Sequence, residues 1–520
     1  MFFDRTFHPD EANQAFTVGR LLETGSYAYK PTDHHGPTLY YAAAPLQRAF
    51  GHNTTAELDG TLLRCTPLIF GVLALVFGAL AIRRLMLKDG LSRAASWLVP
   101  ALFTVTLGTS PMFAFFATDF IQETLLASFF MMAFWSAVEY LVNSSNRLTT
   151  QPPHHPTTPP PNHLTIKPGT WALLFGIACG LMFSTKETCV LSFGAAGLAG
   201  APLLWLSRKK LAIETRDVIL AAAGFLLTSV LFFSSFATNW AGVYNAFIAA
   251  PLSYLHRAAG DAASEGAAWH VHPWWQYLKW LFAGNVFLCL FTALGFLTGI
   301  FTICTRKAVT PAAKNAFVFL AACSALLLSF YSFIPYKTPW CAVQILVAMV
   351  PAALLGLYIP CSSLRSVPTT LAGALVVAVL VLAGNIPSLR AIARDPDSRD
   401  IPFNYAHSSP EVKQLASVAA DAMRAAESQP QGEGRQPPFI AVALPPTDTW
   451  PFPWYNRAFE AKTGYWTKFE DLVELEKKGS RPTVVIVPMT EGHLAQALFP
   501  HLKNTKRFYI RPGVRARVFW

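Results

Sequence analysis

The run TLLRCTPLIFGVLALVFGALAIR, residues 61–83, is apolar almost throughout. A helix needs about 20 mainly apolar residues to cross the hydrocarbon core of a bilayer, and this run meets that length. Further runs of the same kind follow it as far as residue 389. The sequence therefore predicts ten transmembrane helices, near residues 61–83, 93–110, 120–142, 169–185, 188–207, 217–238, 277–303, 315–334, 341–360 and 368–387.

Composition agrees with a membrane protein. The 520 residues are 53% hydrophobic and only 14% charged, whereas about 25% of residues are charged in soluble proteins. The net charge of +11 does not indicate a nucleic-acid partner, because the basic residues collect in alternate loops. These residues are Arg83, Arg84, Lys88 and Arg93, then Arg208, Lys209, Lys210 and Arg216, then Arg306, Lys307 and Lys314, and finally Arg365.

The basic loops also predict the orientation. Loops rich in Lys and Arg face the cytoplasm, so the residues before and after the ten spans are expected outside it. We therefore predict a multi-pass protein of the plasma (inner) membrane, with an extracytoplasmic opening loop and C-terminal domain. Because about 60 residues would be exported ahead of the first span, we expect a further, upstream span to be missing from this sequence.

Three regions are predicted on this basis. Residues 1–60 form an external loop with short amphipathic helices near 10–23 and 39–50. Residues 61–389 form the transmembrane domain, and residues 390–520 a soluble α/β domain. In that domain we predict strands at 439–444, 483–487 and 507–513, and helices at 410–427 and 468–478.

The opening loop begins with His8-Pro9-Asp10-Glu11. One interpretation is an ordinary helix start, because Pro and acidic residues are favoured in the first turn. The other makes Asp10 a general base or metal ligand at the lipid–water boundary, where loss of hydration raises the basicity of a carboxylate. The sequence leaves both interpretations open.

Other polar groups are predicted at the same end of the helices. Asp119 and Glu123 are spaced to share one helical face, either as a helix cap or as a site for a cation or a sugar hydroxyl. Lys186 and Glu187 suit an ion pair that covers a turn, or a lysine that binds phosphate. Lys337, in a turn between two prolines, offers the same alternatives.

Histidines lie among these groups. His34, His35 and His256 could provide a metal site together with the carboxylates, and His270 and His272 could contribute to it. Their spacing matches no specific metal motif. We therefore predict no definite cofactor, with a divalent metal ion as the alternative.

The sequence contains the stretches HPDEANQAF, ETGSYAYKPTDHHGPTLYY, FIQETLL, STKETCVLSF, IPYKTPW, NYAHSSPEV and WPFPWYNR. Together they resemble the prokaryotic flippase activity-associated protein family, a branch of the GT-C superfamily of polyprenyl-phosphate-sugar-dependent glycosyltransferases. The family is similar in plan to protein O-mannosyltransferases and the lipid A aminoarabinose transferase.

The resemblance implies a GT-C fold and a cell-envelope glycosylation reaction. By this resemblance the donor would be a polyprenyl-phosphate sugar and the acceptor a glycan, lipid or protein. Such enzymes generally transfer the sugar with inversion of its configuration. By this resemblance Asp10 would be the catalytic base and Glu11 its helper. Lys186, Lys337 and Arg257 would bind the donor phosphate. Asp119, Glu123, Glu187 and Tyr336 would orient the acceptor or an ion.

A second function of another class remains open. A flippase, or a flippase-associated protein, would move or shield the lipid-linked sugar without breaking a bond. Transporters often carry paired repeats and polar groups near the bilayer midplane. Neither feature is evident in this sequence, so the enzyme is the favoured prediction.

Overall fold

The computed structural model describes residues 2–31, 35–147, 167–207, 213–253, 270–305, 310–361, 367–405, 407–429 and 436–520. The chain divides into two compact units. The first comprises Met1–Gly25, Ala44–Leu63 and Ile392–Trp520. The second comprises Ser26–Ala43 and Arg64–Ala391.

Most of the second unit consists of apolar helices. Among the described residues, eight helices are long and apolar enough to cross a membrane. They span Gly60–Lys88, Glu123–Ser145, Cys189–Ser207, Thr215–Phe233, Val286–Thr305, Pro311–Phe333, Pro339–Pro360 and Leu375–Arg394. Two shorter apolar helices, Ala95–Gly108 and Pro168–Phe183, occupy the second and fourth predicted spans. The predicted fold class, a polytopic helical membrane protein with a C-terminal α/β sheet, is confirmed.

The full extents of several helices exceed their apolar cores. The helix that contains the third predicted span continues to Arg147, the seventh begins at Gln276, and the tenth begins at Val367. Between the second and third spans lies a short helix, Pro111–Phe116, and after the sixth lie Ala241–Tyr244 and the π-helical turn Asn245–Ala249. The short helix Thr38–Ala49 precedes the first span, close to the predicted 39–50.

Contacts between helix ends place the end of the first span beside the end of the third and the start of the eighth. Arg84 lies near the end of the first span, and its Nε is 3.0 Å from Oε2 of Glu139 near the end of the third. Asp89, directly after the first span, accepts a hydrogen bond of 3.1 Å from the backbone N–H of Ala313 at the start of the eighth. These contacts agree with the alternating direction of the spans that the charge pattern predicts.

Small residues bring two of the helices together. Gly176 of Pro168–Phe183 faces Thr215–Phe233 so closely that a Cβ atom on it would lie 1.9 Å from the carbonyl oxygen of Ala221. Gly180 of the same helix and Gly224 of its neighbour meet the opposing backbone in the same way. Glycine at such positions allows helix backbones to approach inside a membrane, where packing rather than water exclusion drives association.

The first unit carries a five-stranded mixed sheet. The strands are β1 (Ile440–Ala443), β2 (Thr463–Trp466), β3 (Val484–Pro488), β4 (Thr505–Arg511) and β5 (Val514–Phe519). Their order is β2-β1-β3-β5-β4, so β2 and β4 are the edge strands. β1 is parallel to both neighbours, whereas β5 is antiparallel to β3 and β4.

Helices cover the two faces of this sheet. The helix Glu411–Glu427 buries Val412, Leu415 and Met423 against one face. The helices Glu470–Lys477 and Gly492–Leu498 lie on the other, where Leu472 and Ala495 are buried. Each face therefore has its own apolar core, which is the layered arrangement expected of an α/β unit.

The predicted strands and helices of this unit are largely confirmed. Strands predicted at 439–444, 483–487 and 507–513 correspond to β1, β3 and β4, although Gly513 forms the turn after β4 with φ of 83°. The predicted helices 410–427 and 468–478 correspond to Glu411–Glu427 and Glu470–Lys477. The sequence prediction missed β2 and β5, because TGYW is short and contains glycine and VRARVF contains two arginines.

The helix contact at Gly176 yields a stability prediction. Gly176→Ala should force the helices Pro168–Phe183 and Thr215–Phe233 apart, because the new methyl group would overlap the Ala221 carbonyl. Overpacking of this kind costs about 1–3 kcal/mol. We expect a lower midpoint of thermal unfolding for the purified protein in detergent.

Gly197→Ala is the matched control. Gly197 also lies in a membrane helix, Cys189–Ser207, but no described atom comes within 4 Å of a Cβ placed there. The midpoint of this variant should stay unchanged or rise slightly, because alanine favours a helix. Equal destabilisation by both substitutions would contradict the close contact at Gly176.

Candidate functional site

In the first unit, Asp10 and Glu11 lie in the first turn of the helix Pro9–Thr24, close to the predicted 10–23. Glu11 is fully buried, and its Oε2 accepts a hydrogen bond of 3.0 Å from the backbone N–H of His8. His8 Nδ1 in turn accepts a bond of 3.1 Å from the backbone N–H of Asp10, which completes a capping box. The Asp10 side chain is 51% exposed. Glu11 therefore fixes the helix start, and Asp10 presents an exposed carboxylate.

In the second unit, a buried ion pair joins two helix ends. Lys186 lies in the turn between the helices Pro168–Phe183 and Cys189–Ser207, and its Nζ donates a hydrogen bond to Oε1 of Glu123. The two residues are only 5% and 1% exposed. Burial alone would lower the pKa of Lys186, but the charge of Glu123 outweighs it and raises that pKa. Lys186 therefore stays protonated.

Of the two alternatives left open for Lys186 and Glu187, an ion pair between these two residues is not formed. Glu187 instead lies 2.8 Å from Nδ1 of His35 through Oε2, and its Oε1 accepts a hydrogen bond of 2.9 Å from the Tyr29 hydroxyl. Burial would raise the pKa of Glu187, but His35, with Tyr29 adding a smaller effect, lowers it overall. Adjacent residues of a tight turn point in different directions, so each charged group has its own partner.

The spacing of Asp119 and Glu123 predicted that they share one helical face, and this prediction is wrong. Glu123 is the first residue of its helix, and Asp119 lies in the non-helical segment before it. The chain leaves the preceding helix at Phe116 and bends until Glu123. Asp119 is nevertheless buried, at 7% exposure, in the segment that leads to the ion pair.

The surroundings of Glu123 leave one of its oxygens available. Gln344 donates a hydrogen bond of 2.9 Å from Nε2 to the backbone carbonyl of Glu123, and Cys341 Sγ is 4.0 Å from Oε1. The other oxygen, Oε2, is buried and has no hydrogen-bond partner among the described residues. A buried carboxylate oxygen is ordinarily satisfied, so this atom is a candidate for contact with a ligand.

Lys337 is a buried cation of a different kind. It is 1% exposed, and its Nζ donates hydrogen bonds to the backbone carbonyls of His272, at 3.2 Å, and Ile334. Burial lowers the pKa of this ammonium. In the part of the chain that the structure describes, no carboxylate lies within ion-pair distance of it.

A short bridge positions Lys337. Its backbone N–H donates to the His270 carbonyl at 2.8 Å, and Val271 pairs with Tyr336 as an isolated antiparallel bridge. Tyr336 is 46% exposed, and its ring centroid lies 4.6 Å from that of His270. Of the two neighbouring residues Tyr336 and Lys337, the tyrosine is therefore exposed and the lysine is buried.

The segment 26–43 is held against the same helix ends. The backbone N–H of Thr38 donates to the Ser184 carbonyl at 3.2 Å, two residues before Lys186. Gly36 lies so close that a Cβ atom on it would be 2.2 Å from the same carbonyl. Only glycine fits this approach, and it brings His35 to Glu187.

A turn in an unusual conformation supports the other end of this segment. Ser235, Phe236 and Ala237 have φ angles of 52°, 54° and 70°, which residues with a side chain adopt at an energetic cost. The Ser235 hydroxyl accepts a hydrogen bond of 2.8 Å from the backbone N–H of Tyr27 and lies 2.5 Å from the Tyr41 hydroxyl. The strained turn thus presents one hydroxyl group to two tyrosines.

Some predicted residues lie outside the described residues. They are His34, His256 and Arg257, so the structure gives no information on their contribution to a metal or phosphate site. The described ranges contain no group of three His, Cys, Asp or Glu side chains placed to hold a metal ion. His35, the remaining member of the predicted metal set, pairs with Glu187.

Sequence reasoning missed several residues of this cluster. Tyr29, Ser235, Cys341 and Gln344 contact the predicted residues, but such types are common in membrane helices and loops. Only Tyr29 carried a signal, because it lies in the polar run SYAYKPTDHH. The others are recognised only when the fold brings distant segments together.

The chain matches no protein-family model and no curated protein. Its structure is similar to ArnT from Cupriavidus metallidurans bound to undecaprenyl phosphate, with a TM-score of 0.58 and 15% identity over 99% of this chain and 94% of that one. The apo state of the same protein gives a TM-score of 0.57 at the same identity and coverage.

A second protein shares the arrangement more distantly. The archaeal oligosaccharyltransferase AglB from Archaeoglobus fulgidus, in complex with an inhibitory peptide and a dolichol-phosphate, gives a TM-score of 0.51 at 11% identity. The match covers 95% of this chain and 67% of AglB. Across nearly its whole length, the chain is therefore similar in fold to ArnT and AglB.

Proposed function

We propose that this chain is a membrane glycosyltransferase, which moves a sugar from a polyprenyl-phosphate donor to an acceptor on the extracytoplasmic face. The likeness in fold to ArnT bound to undecaprenyl phosphate and to AglB with a dolichol-phosphate supports this proposal. The observation that carries it is the buried ammonium of Lys337, which lacks a negatively charged partner among the described residues.

A buried charge without a counter-charge is costly. Backbone carbonyls compensate the Lys337 ammonium only in part, as its lowered pKa indicates. An anionic ligand removes this cost by supplying the missing charge. The phosphate of a lipid-linked sugar has the required charge, and its lipid tail would lie among the membrane helices.

Lys186 is the second proposed phosphate contact. Its Nζ makes one hydrogen bond, to Glu123, so two of its three N–H groups remain for a ligand. Glu123 keeps the ammonium protonated and fixes its direction. As the bond between sugar and phosphate breaks, charge develops on the leaving phosphate, and donors already in place stabilise it without reorganisation. Arg257 is proposed as a third contact.

Asp10 is the proposed general base. Its carboxylate is exposed, whereas Glu11 is committed to the capping box that holds the first turn. Asp10 would take the proton of the acceptor group as its oxygen or nitrogen attacks the anomeric carbon. The new bond forms on the side opposite the phosphate, which leaves with the bonding electron pair, so the configuration of the sugar inverts.

The remaining predicted residues differ in whether their side chains could contact the acceptor or an ion. Glu123 offers its unpartnered Oε2, and Tyr336 offers an exposed ring. Glu187 is occupied by His35 and Tyr29, so we propose that it positions these two residues. Asp119 stays a proposed contact for the acceptor or for a divalent ion.

Substitution of Asp10 tests the catalytic proposal. With protein in lipid nanodiscs, a polyprenyl-phosphate sugar and candidate acceptors, the wild type should release sugar-free polyprenyl phosphate. Asp10→Asn should slow this release about 100-fold or more, the usual effect of removing a general base. Radiolabelled sugar transferred to the acceptor provides the measurement.

Asp421→Asn is the control, because Asp421 is an exposed carboxylate on the helix Glu411–Glu427. Its rate should equal that of the wild type. An unchanged rate in Asp10→Asn would remove Asp10 from the mechanism. Movement of the lipid-linked sugar across the bilayer without sugar release would favour the flippase function instead.

Substitution of Lys337 tests donor binding. Lys337→Met keeps the length and apolar stem of the side chain but removes its charge. Because hydrogen bonds to charged groups contribute about 1.5–3 kcal/mol, we expect affinity for a short-chain polyprenyl phosphate to fall about tenfold or more. Thermophoresis in nanodiscs measures the affinity, and Lys279→Met, an exposed lysine nearby, should bind like the wild type. Unaltered affinity in Lys337→Met would show that Lys337 does not bind the donor phosphate and has a structural role only.

The lowered pKa of Lys337 predicts a pH dependence. The ammonium attracts phosphate only when protonated, so affinity should be full below its pKa and decline as the pH rises through it. Burial lowers this pKa from its ordinary value near 10.5, so the decline should begin at a lower pH than for an ordinary lysine. Titrations between pH 7 and pH 10 should show it in the wild type, and a similar decline in Lys337→Met would contradict this assignment.

A further inference from the structure

A cleft rich in arginine lies at one edge of the sheet in the first unit. It has a volume of about 750 Å³ and is lined by Arg399, Glu411, Arg507, Tyr509 and Arg515, among others. A cavity of this size can accommodate a small ligand or the head group of a larger one. We refer to these five residues as the arginine cleft.

The hairpin of β4 and β5 places two of the arginines together. Tyr509 pairs directly with Arg515 across the two strands, and Arg507 lies two residues before Tyr509, on the same face of β4. Arg507 and Arg515 are therefore diagonal neighbours, about 7–8 Å apart at their Cα atoms. The two positive charges repel each other at this distance, and an anion between them would relieve the repulsion.

A third arginine approaches from outside the hairpin. The guanidinium carbon of Arg399 lies 4.7 Å from the centroid of the Tyr509 ring, in a cation–π contact. Glu411 is committed elsewhere, because its Oε2 accepts a hydrogen bond of 2.7 Å from the backbone N–H of Tyr509. Three guanidinium groups against one carboxylate leave the cleft with an excess of two positive charges.

The arginines of the cleft differ from their neighbours on the hairpin. Arg511 forms an ion pair of 2.6 Å with Asp448, and Arg517 donates a hydrogen bond of 3.1 Å to Thr505. In the described parts of the chain, Arg507 and Arg515 form neither an ion pair nor a side-chain hydrogen bond. Their donor groups are thus available.

We propose that the arginine cleft binds a phosphate-bearing ligand. The planar fork of arginine matches two phosphate oxygens at once, and several forks can surround the oxygens of one phosphate group. The excess of two positive charges balances a phosphate dianion. The ligand is either a lipid head group or a free phosphorylated compound, and none of the residues of the arginine cleft is among those proposed to bind the donor.

Binding measurements on the full chain test this proposal. Protein in nanodiscs of neutral lipid, at about 0.15 M salt, is titrated with inorganic pyrophosphate and, separately, with water-soluble dihexanoyl phosphatidate. The wild type should bind at least one of them saturably. Arg507→Ala combined with Arg515→Ala should weaken that binding at least tenfold, because two charged hydrogen-bond donors are lost.

The matched control removes two positive charges elsewhere on the same unit. Lys478 and Arg481 are exposed residues outside the arginine cleft, and their double substitution to alanine should change the affinity less than twofold. Glu411→Gln should tighten binding severalfold, since it removes the negative charge but keeps an acceptor for Tyr509. Misfolding cannot produce this increase.

The two probes distinguish the source of the phosphate. Tighter binding of phosphatidate than of pyrophosphate, lost in the Arg507 and Arg515 double variant, would assign the site to a lipid head group. Equal or tighter binding of pyrophosphate would assign it to a free phosphorylated compound. Absence of saturable binding by both probes, or equal losses in the cleft and control variants, would overturn the proposal.

Discussion

The ion pair between Lys186 and Glu123 is the interaction on which the arrangement of the second unit most depends. It joins two helix ends that are distant in sequence, in surroundings that exclude water. Removing one partner of a buried pair commonly costs about 3–5 kcal/mol, because the other charge is left uncompensated. With Lys186 held towards Glu123, its neighbour Glu187 points towards His35 and Tyr29. The ion pair between Lys186 and Glu123 thereby helps to position the segment 26–43, which carries His35 and Tyr29.

The two buried lysines of this unit contrast with each other. Lys186 has a carboxylate partner that raises its pKa, whereas Lys337 has only carbonyl partners and its pKa is lowered. The fold therefore provides one cation whose charge a carboxylate stabilises, and a second whose charge is poorly compensated. Under the proposed function, the donor phosphate would supply the missing counter-charge of Lys337, and Lys186 would contribute its two remaining N–H donors.

Sequence was sufficient for the membrane helices, because span length and hydrophobicity are properties of a single segment. It identified Asp10, Glu123, Lys186, Glu187 and Lys337 as polar residues at helix ends, but it did not identify Glu123 as the partner of Lys186. Partner choice depends on which helix ends meet, and no local pattern contains that information. For the same reason Gln344 and Ser235 were missed, whereas β5 was missed because its alternating arginines mask a strand whose other face is buried.

The position of β4 at the margin of the sheet has a consequence for solubility. Exposed strand margins offer free backbone groups on which strands of other molecules can assemble. Here the residues that lead into the helix Glu411–Glu427 occupy that margin, since the Ser409 N–H donates to the Ile510 carbonyl at 2.7 Å and Glu411 accepts from Tyr509. The opposite margin, β2, has only four residues. Both edges are thus poor templates for aggregation, which would favour a sheet that stays monomeric in water.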